Sequence, residues 1–445
     1  MFQTLSALPG GRIRGELRVP GDKSISHRSI MLGALAEGET RISGFLEGAD
    51  ALATMNVFRM LGVAIDGPQR GAVTVRGAGL RGLRPPAGPL DCGNSGTSMR
   101  LLCGLLAGQS FESRLLGDAS LSRRPMRRVI EPLALMGAKI DSVDGHPPLL
   151  VHPVGRLRPA EIRMGVASAQ VKSALILAGL YADGTTRVTE PAPTRDHTER
   201  MLAAFGVEVG REGSTVSIVG GQPLSGSRID IPADISSAAF FLVAASIGAR
   251  AELTLRHVGI NPTRTGVLHI LRAMGADITE INPRTIGGEP VADLRVRAAR
   301  LKGLEIPPEW VPLAIDEFPV LFVAAACAEG DTVLRGAQEL RVKESDRIAV
   351  MAEGLAGIGM PAQVKPDGMR IVGRGAEANP FAGGTVESHG DHRIAMAFAV
   401  AALRSSGPIT ILDTGNVTTS FPGFADMAAS VGMRVRASIE SGPGR

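Results

Sequence analysis

The chain has 445 residues, 44% hydrophobic and 21% charged, with a formal net charge of +4. That length exceeds one ordinary core and predicts two domains, while an aromatic content of 3% leaves few stacking platforms for single-stranded nucleic acid. Three cysteines (Cys92, Cys103, Cys327) without C-x-x-C spacing, no apolar run long enough for a membrane span and no signal-like start predict a reduced, cytoplasmic protein with neither membrane nor nucleic acid as partner.

Taken in chain order, the first predicted helix follows the Pro-Gly turn of "PGDKSISHRSIMLGALAEG" (20–38). Asp22, Lys23, Ser24, Ser26, His27 and Arg28 crowd the nose of a segment that is otherwise apolar. The same form, a polar or Gly-rich nose on a small apolar helix, recurs at Thr97 ("TSMRLLCGLLAG"), Gln170 ("QVKSALILAGLYADG"), Ser236 ("SSAAFFLVAASIG"), Asp316 ("DEFPVLFVAAACAEG") and His392 ("HRIAMAFAVAAL"). Counted from Ser24, the starts lie 73, 73, 66, 80 and 76 residues apart, which is an internal repeat. Copies continue into a strand pattern such as "TRISGF" or "AELTLRHV". An amphipathic helix then closes on Gly before the next strand, as in "RMLGVAI" or "RAMGADI". The first and last units are as apolar as the middle ones, so closure into two globules of three units is expected rather than an open solenoid. The fold class is α/β (α+β).

The noses carry the candidate chemistry, because a helix N-terminus presents unpaired N–H groups and a partial positive charge to anions. Lys23, Ser24 and Arg28 add to the first. "GNSGTSMR" (93–100) brings backbone N–H groups of a Gly-rich loop, "SAQVK" (168–172) a hydroxyl, an amide and the Lys172 ammonium, and "GDHR" (390–393) His392 and Arg393. Two more basic segments are "LSRRPMRR" (121–128) and "RVKESDR" (341–347). In the latter, Lys343 and Arg347 are spaced to share one helical face, with Glu344 beside them. No Walker pattern and no H-E-x-x-H occurs, and His197 and Glu199 of "RDHTER", two residues apart, do not share a helix face for a metal. The residues alone therefore point to a multi-anion site at the junction of two repeat-built domains.

"PGDKSISHR", "GNSGTSMRLL", "SRRPM", "SAQVKSALILAGL", "RVKESDRI" and "GDHRIAMAFAVAAL" resemble, in order, the motifs of the 5-enolpyruvylshikimate-3-phosphate (EPSP) synthase family. "SAQVK", "RDHTE" and "NPTR" (261–264) are similar to its second bacterial class. The resemblance implies two similar domains of three βαβαββ repeats each, with the noses facing an interdomain cleft that holds the active site. Residues 1–18 plus 232–445 would form the first domain and 19–231 the second, with crossovers near 17–20 and 229–234. It implies transfer of the enolpyruvyl group of phosphoenolpyruvate to the 5-hydroxyl of shikimate 3-phosphate, releasing phosphate, by a monomer without metal or organic cofactor. By motif, Lys23, Ser24, Arg28, Ser168, Gln170, Arg195, Asp316 and Lys343 would meet shikimate 3-phosphate. Lys23, Asn94, Gly96, Arg124, Gln170, Arg347 and Arg393 would meet phosphoenolpyruvate, and Asp316 and Glu344 would move protons, with Lys23 as a further catalytic group. Thr419 stands where the first family class has Lys, and Leu101 replaces a usual Pro, while Gly96 keeps the inhibitor-sensitive pattern. Two alternatives remain. A transferase acting on UDP-N-acetylglucosamine would need a Cys near Ser120–Pro125, where there is none; a non-catalytic phosphate- or RNA-binding repeat protein would need neither Asp316 nor Glu344.

Overall fold

The computed structural model describes residues 2–376 and 378–440. Six helices are buried almost all round: Lys23–Leu35, Gly96–Ala107, Ala169–Gly179, Ile235–Ile247, Phe318–Cys327 and His392–Ala401. Every residue of Ile235–Ile247 and of Phe318–Cys327 is buried, as expected of helices with no polar stripe. These are the six apolar segments of the repeat. No described helix is long and apolar enough to cross a membrane.

Three of the buried helices are crossovers between two strands that pair in parallel with each other, a connection too long for a tight turn. Leu90–Asp91 and Ser113–Leu116 flank Gly96–Ala107; Glu161–Arg163 and Thr185–Thr189 flank Ala169–Gly179; Gly384–Glu387 and Ile409–Leu412 flank His392–Ala401. Around Phe318–Cys327 the parallel partner shrinks to the bridges Lys302–Glu329 and Glu305–Val333. An amphipathic helix and an antiparallel hairpin complete the unit, as in Ala49–Met60 with Ala64–Gln69 and Ala72–Ala78. The described strands form six sheets, five of four or five strands and one of three. The alternation of helix and strand is thus the mixed α/β class read from the repeat.

Three places break the simple order. The parallel partner of Ala36–Ser43 is the distant Arg228–Asp230, and that of Glu252–Gly259 is Arg14–Leu17. In the last repeat, Phe2–Gly11 inserts between Ile409–Leu412 and Met433–Glu440, antiparallel to both, so the N-terminal strand completes the C-terminal unit.

By their contacts the residues group into two compact units. Among the described residues, one comprises those within 2–20, 232–284 and 290–440; the other comprises 21–231 and 285–289. Each has its own apolar core, built around three of the buried helices. Cys92, Cys103 and Cys327 are buried as free thiols, and burial pushes Cys103 and Cys327 up to about 12.

Candidate functional site

In the unit formed by 21–231, Asp22 caps the first helix by accepting from the Ile25 N–H at 2.9 Å. The neighbouring polar side chains then divide. Ser26 accepts from the Leu46 N–H, and His27 is buried with Nδ1 2.7 Å from Thr54 Oγ1. Burial, then the charges of Lys23 and Arg28, holds the His27 ring well below the usual histidine range, so it is neutral. Lys23 stays partly exposed, its Nζ 2.5 Å from Asp50 Oδ2. Arg28 is buried: Nε donates to Thr198 Oγ1 at 2.6 Å, Nη2 to Ser173 Oγ at 2.8 Å and Nη1 to the Ser24 carbonyl at 3.0 Å. Burial lowers its pKa to about 10; Glu199 and Asp22 oppose the shift and Arg195 adds to it, which places a second cation in the Arg28 field.

The Gly-rich loop supplies a second group. Ser95 caps the Gly96–Ala107 helix at the Ser98 N–H, 3.1 Å away. Asn94 Nδ2 donates to Asp118, and Asn94 Oδ1 accepts from Arg124 Nη2 at 2.8 Å. A Cβ on Gly96 would stand 2.9 Å from Arg100 Nη1 and 3.3 Å from Arg124 Nη1, so the glycine lets two guanidinium groups crowd the helix nose. Arg100 Nη1 donates to Gln170 Oε1 at 2.6 Å, and Gln170 Nε2 donates to Thr97 Oγ1 at 3.0 Å. Asn94, Gly96, Arg124 and Gln170 are thereby brought together, with Ser168 capping the Gln170 helix. Arg100 was absent from the expected set; its only sequence signal is its place at the end of "GNSGTSMR".

Lys172 corrects the sequence reading. It does not present an ammonium at the nose, because its side chain is fully buried, with Nζ 2.8 Å from Glu199 Oε1 and 3.1 Å from Glu190 Oε2. Being four residues after the cap Ser168, it turns toward the core side of the helix. His197 and Glu199 go to different partners, Glu289 and Lys172.

In the other unit, Arg347 is the centre, with its side chain 1% exposed. Its Nε donates to Asp391 Oδ2 at 2.9 Å, Nη1 to Asp316 Oδ1 at 3.2 Å and Nη2 to Glu344 Oε2 at 2.6 Å. Burial alone would lower its pKa; Asp391, Glu344 and Asp316 more than reverse that, leaving it raised and the group permanently charged. Lys343 Nζ lies 3.5 Å from Asp316 Oδ1, and Arg393 Nη1 donates to the Asp316 carbonyl at 3.1 Å. Asp391 also caps the His392–Ala401 helix at the Arg393 N–H.

Two local expectations fail here. Lys343 and Arg347 do not share a helix: Asp346 caps a helix that starts at Arg347, while Lys343 ends the 3-10 turn Gln338–Val342. They converge on Asp316 from two elements instead. Asp316 is not the helix nose either; it sits in the turn before Glu317, which is the N-cap of Phe318–Cys327. Pro319 early in that helix suits a start there, since its missing N–H costs nothing in the first turn. Thr419 lies in the Val417–Ser420 helix, with its hydroxyl on the Asn416 carbonyl.

The arrangement offers cations and N–H groups for several anionic oxygens, and two carboxylates held beside cations for proton transfer. A family profile described as EPSP synthase (3-phosphoshikimate 1-carboxyvinyltransferase) matches residues 8–427. A 3-phosphoshikimate 1-carboxyvinyltransferase of Alkalilimnicola ehrlichii is 69% identical over 426 residues, covering 96% of this chain and 95% of its own. One from Halorhodospira halophila is 65% identical over 428 residues, covering 96% of each. A solved structure of EPSP synthase from Acinetobacter baumannii superposes with a TM-score of 0.89 at 56% identity, covering 98% of this chain and 100% of that one.

Proposed function

Since the chain belongs to the EPSP synthase family and is therefore a 3-phosphoshikimate 1-carboxyvinyltransferase, an enolpyruvyl transferase of the shikimate pathway, we propose how its residues divide the reaction. Lys23, Ser24, Arg28, Ser168, Gln170, Arg195 and Lys343 hold shikimate 3-phosphate. Lys23, Asn94, Gly96, Arg124, Gln170, Arg347 and Arg393 hold phosphoenolpyruvate, so Lys23 and Gln170 serve both. The two substrates bring two phosphates and two carboxylates, which accounts for a site this rich in guanidinium groups and helix noses.

The 5-hydroxyl adds to C2 of phosphoenolpyruvate while C3 gains a proton, giving a tetrahedral adduct. Loss of a C3 proton and departure of phosphate then restore the double bond in the product. Glu344 delivers and recovers the C3 proton. Asp316 accepts the hydroxyl proton and orients that oxygen, and the cations stabilise charge arriving on the departing phosphate.

The observation that carries this division is the contrast among the carboxylates on Arg347. Asp316 and Glu344 keep side-chain exposures of 13% and 22%, whereas Asp391 has 0%. Only the first two retain a face for substrate. Phosphate release measured with shikimate 3-phosphate and phosphoenolpyruvate, together and singly, tests the activity: release is expected only with both. Release from phosphoenolpyruvate alone at the same rate would overturn it. We place the enzyme in the cytoplasm as a monomer; gel filtration of purified protein checks the second point.

A further inference from the structure

Lys172, Glu190 and Glu199 form a charged triad inside the 21–231 unit. Lys172 has a side-chain exposure of 0%, Glu190 of 1% and Glu199 of 8%. Glu199 meets the ammonium as an ion pair outside hydrogen-bond alignment, and neither of its buried oxygens receives a hydrogen bond. Such a triad is a poor way to stabilise a core: apolar side chains of similar volume commonly do as well or better, and a buried acceptor without a donor is costly. Fold stability is therefore a weak reason for it, and another is needed.

The geometry supplies one. Lys172 and Ser173 are consecutive on the Ala169–Gly179 helix, and Thr198 and Glu199 are consecutive on the His197–Ala204 helix. Thr198 Oγ1 donates to Ser173 Oγ at 2.7 Å, one residue along from the Lys172–Glu199 pair on each helix. Those two hydroxyls are the acceptors of Arg28 Nη2 and Nε. The ion pair thus ties the helices together at the step where the Arg28 seat is built. The triad's single excess negative charge also balances the guanidinium, and Glu199 is the largest influence opposing the loss of charge that burial favours. On its other side, Glu190 accepts from Thr194 Oγ1, which anchors the residue before Arg195.

We propose that the Lys172–Glu199 bridge, steadied by Glu190, is a positioning device for Arg28: it sets the Ser173 and Thr198 hydroxyls that aim the guanidinium and supplies its balancing charge, and so governs shikimate 3-phosphate capture without touching that substrate. This rests on the reading above that Arg28 meets shikimate 3-phosphate.

The test is steady-state kinetics of the full-length enzyme with each substrate varied separately. Glu199→Gln is expected to raise KM for shikimate 3-phosphate roughly tenfold, the size of a hydrogen bond or charge contact to an ionised group, with KM for phosphoenolpyruvate and kcat unchanged. Thr198→Val, which removes only the hydroxyl under Nε, should do the same and decides the matter should Glu199→Gln not fold. In an Arg28→Gln background neither change should weaken capture further, because residues that act through one another are not additive. If Arg28→Gln alone leaves KM for shikimate 3-phosphate unchanged, the placing of Arg28 fails and the proposal with it. If Arg28→Gln raises it while Glu199→Gln and Thr198→Val do not, or if their effects add in full, the positioning role is overturned. An equal rise in both KM values together with a lower Tm would assign the triad to packing alone and also overturn it.

Discussion

Asp316 and Glu344 both accept from the Arg347 guanidinium, and the proposed division of labour between them can be tested one residue at a time. Glu344 reaches Arg347 Nη2 from three residues away in the chain, whereas Asp316 lies 3.2 Å from Nη1 and 3.5 Å from the Lys343 ammonium. Glu344→Gln keeps the size and the hydrogen-bond acceptor but cannot carry a proton. It is expected to abolish solvent deuterium incorporation at the methylene carbon while calorimetry shows shikimate 3-phosphate binding nearly intact. Asp316→Asn should weaken that binding as well as turnover. Deuterium exchange at the parent rate in Glu344→Gln would remove the C3 role from Glu344. Lys23 is the second test at this scale. It is partly exposed beside Asp50, so Lys23→Ala should impair the binding of both substrates and turnover, while Lys365→Ala, on the exposed strand Gln363–Lys365, should be near neutral. Equal effects in a kinetic comparison would count against a special place for Lys23.

Among the elements, the buried helices are positioned by backbone contact as much as by side chains. A Cβ on Gly104 would stand 1.9 Å from the Ala174 carbonyl oxygen, so the Gly96–Ala107 and Ala169–Gly179 helices touch at a position where only glycine fits. These are the helices whose noses carry Gly96 and Gln170. Gly104→Ala is expected to cost about 1–3 kcal/mol by overpacking, read as a lower urea midpoint, and to disturb the Arg100–Gln170 contact enough to raise KM for phosphoenolpyruvate. An unchanged midpoint would show that the helices can separate freely. Sequence signals served this scale unevenly. The capping roles of Asp22 and Ser95 came from the structure, whereas periodicity, Gly stops and the polar character of the helix noses are local and were legible. Whether Lys172 faces an anion or the core was not, because its partners Glu190 and Glu199 lie 18 and 27 residues away and only folding brings them to it. The same holds for Arg100 and Gln170, 70 residues apart.

At the scale of the whole molecule, the chain's first strand is a structural keystone of its last repeat. Phe2–Gly11 pairs with both Ile409–Leu412 and Met433–Glu440, and Leu5, 4% exposed, faces the core. Leu5→Asp would bury an unpaired carboxylate in the middle of that sheet and is expected to destabilise the protein by several kcal/mol. Thermal unfolding followed by circular dichroism measures it; an unchanged Tm would show that the strand is dispensable. The parallel pairings of Arg14–Leu17 and Arg228–Asp230 with distant strands follow from the same exchange of segments between repeats.

Read alone, the amino-acid order determined the sixfold repeat, the mixed α/β class, the buried helices and the polar residues at their noses. Those properties depend on short-range pattern: apolar runs of one helix length, Gly at the stops and polar residues at the starts. The family was equally legible, because its motifs are contiguous. Which noses share a cluster, which charges face inward and which carboxylates keep an exposed face were decided only by tertiary structure. Lys343 and Arg347 show why. Their spacing predicted one helical face, yet the Asp346 cap separates them, and they meet Asp316 through packing of three distinct segments. Side-chain charge is a property of a residue, but what it confronts depends on burial and on partners far away in the chain.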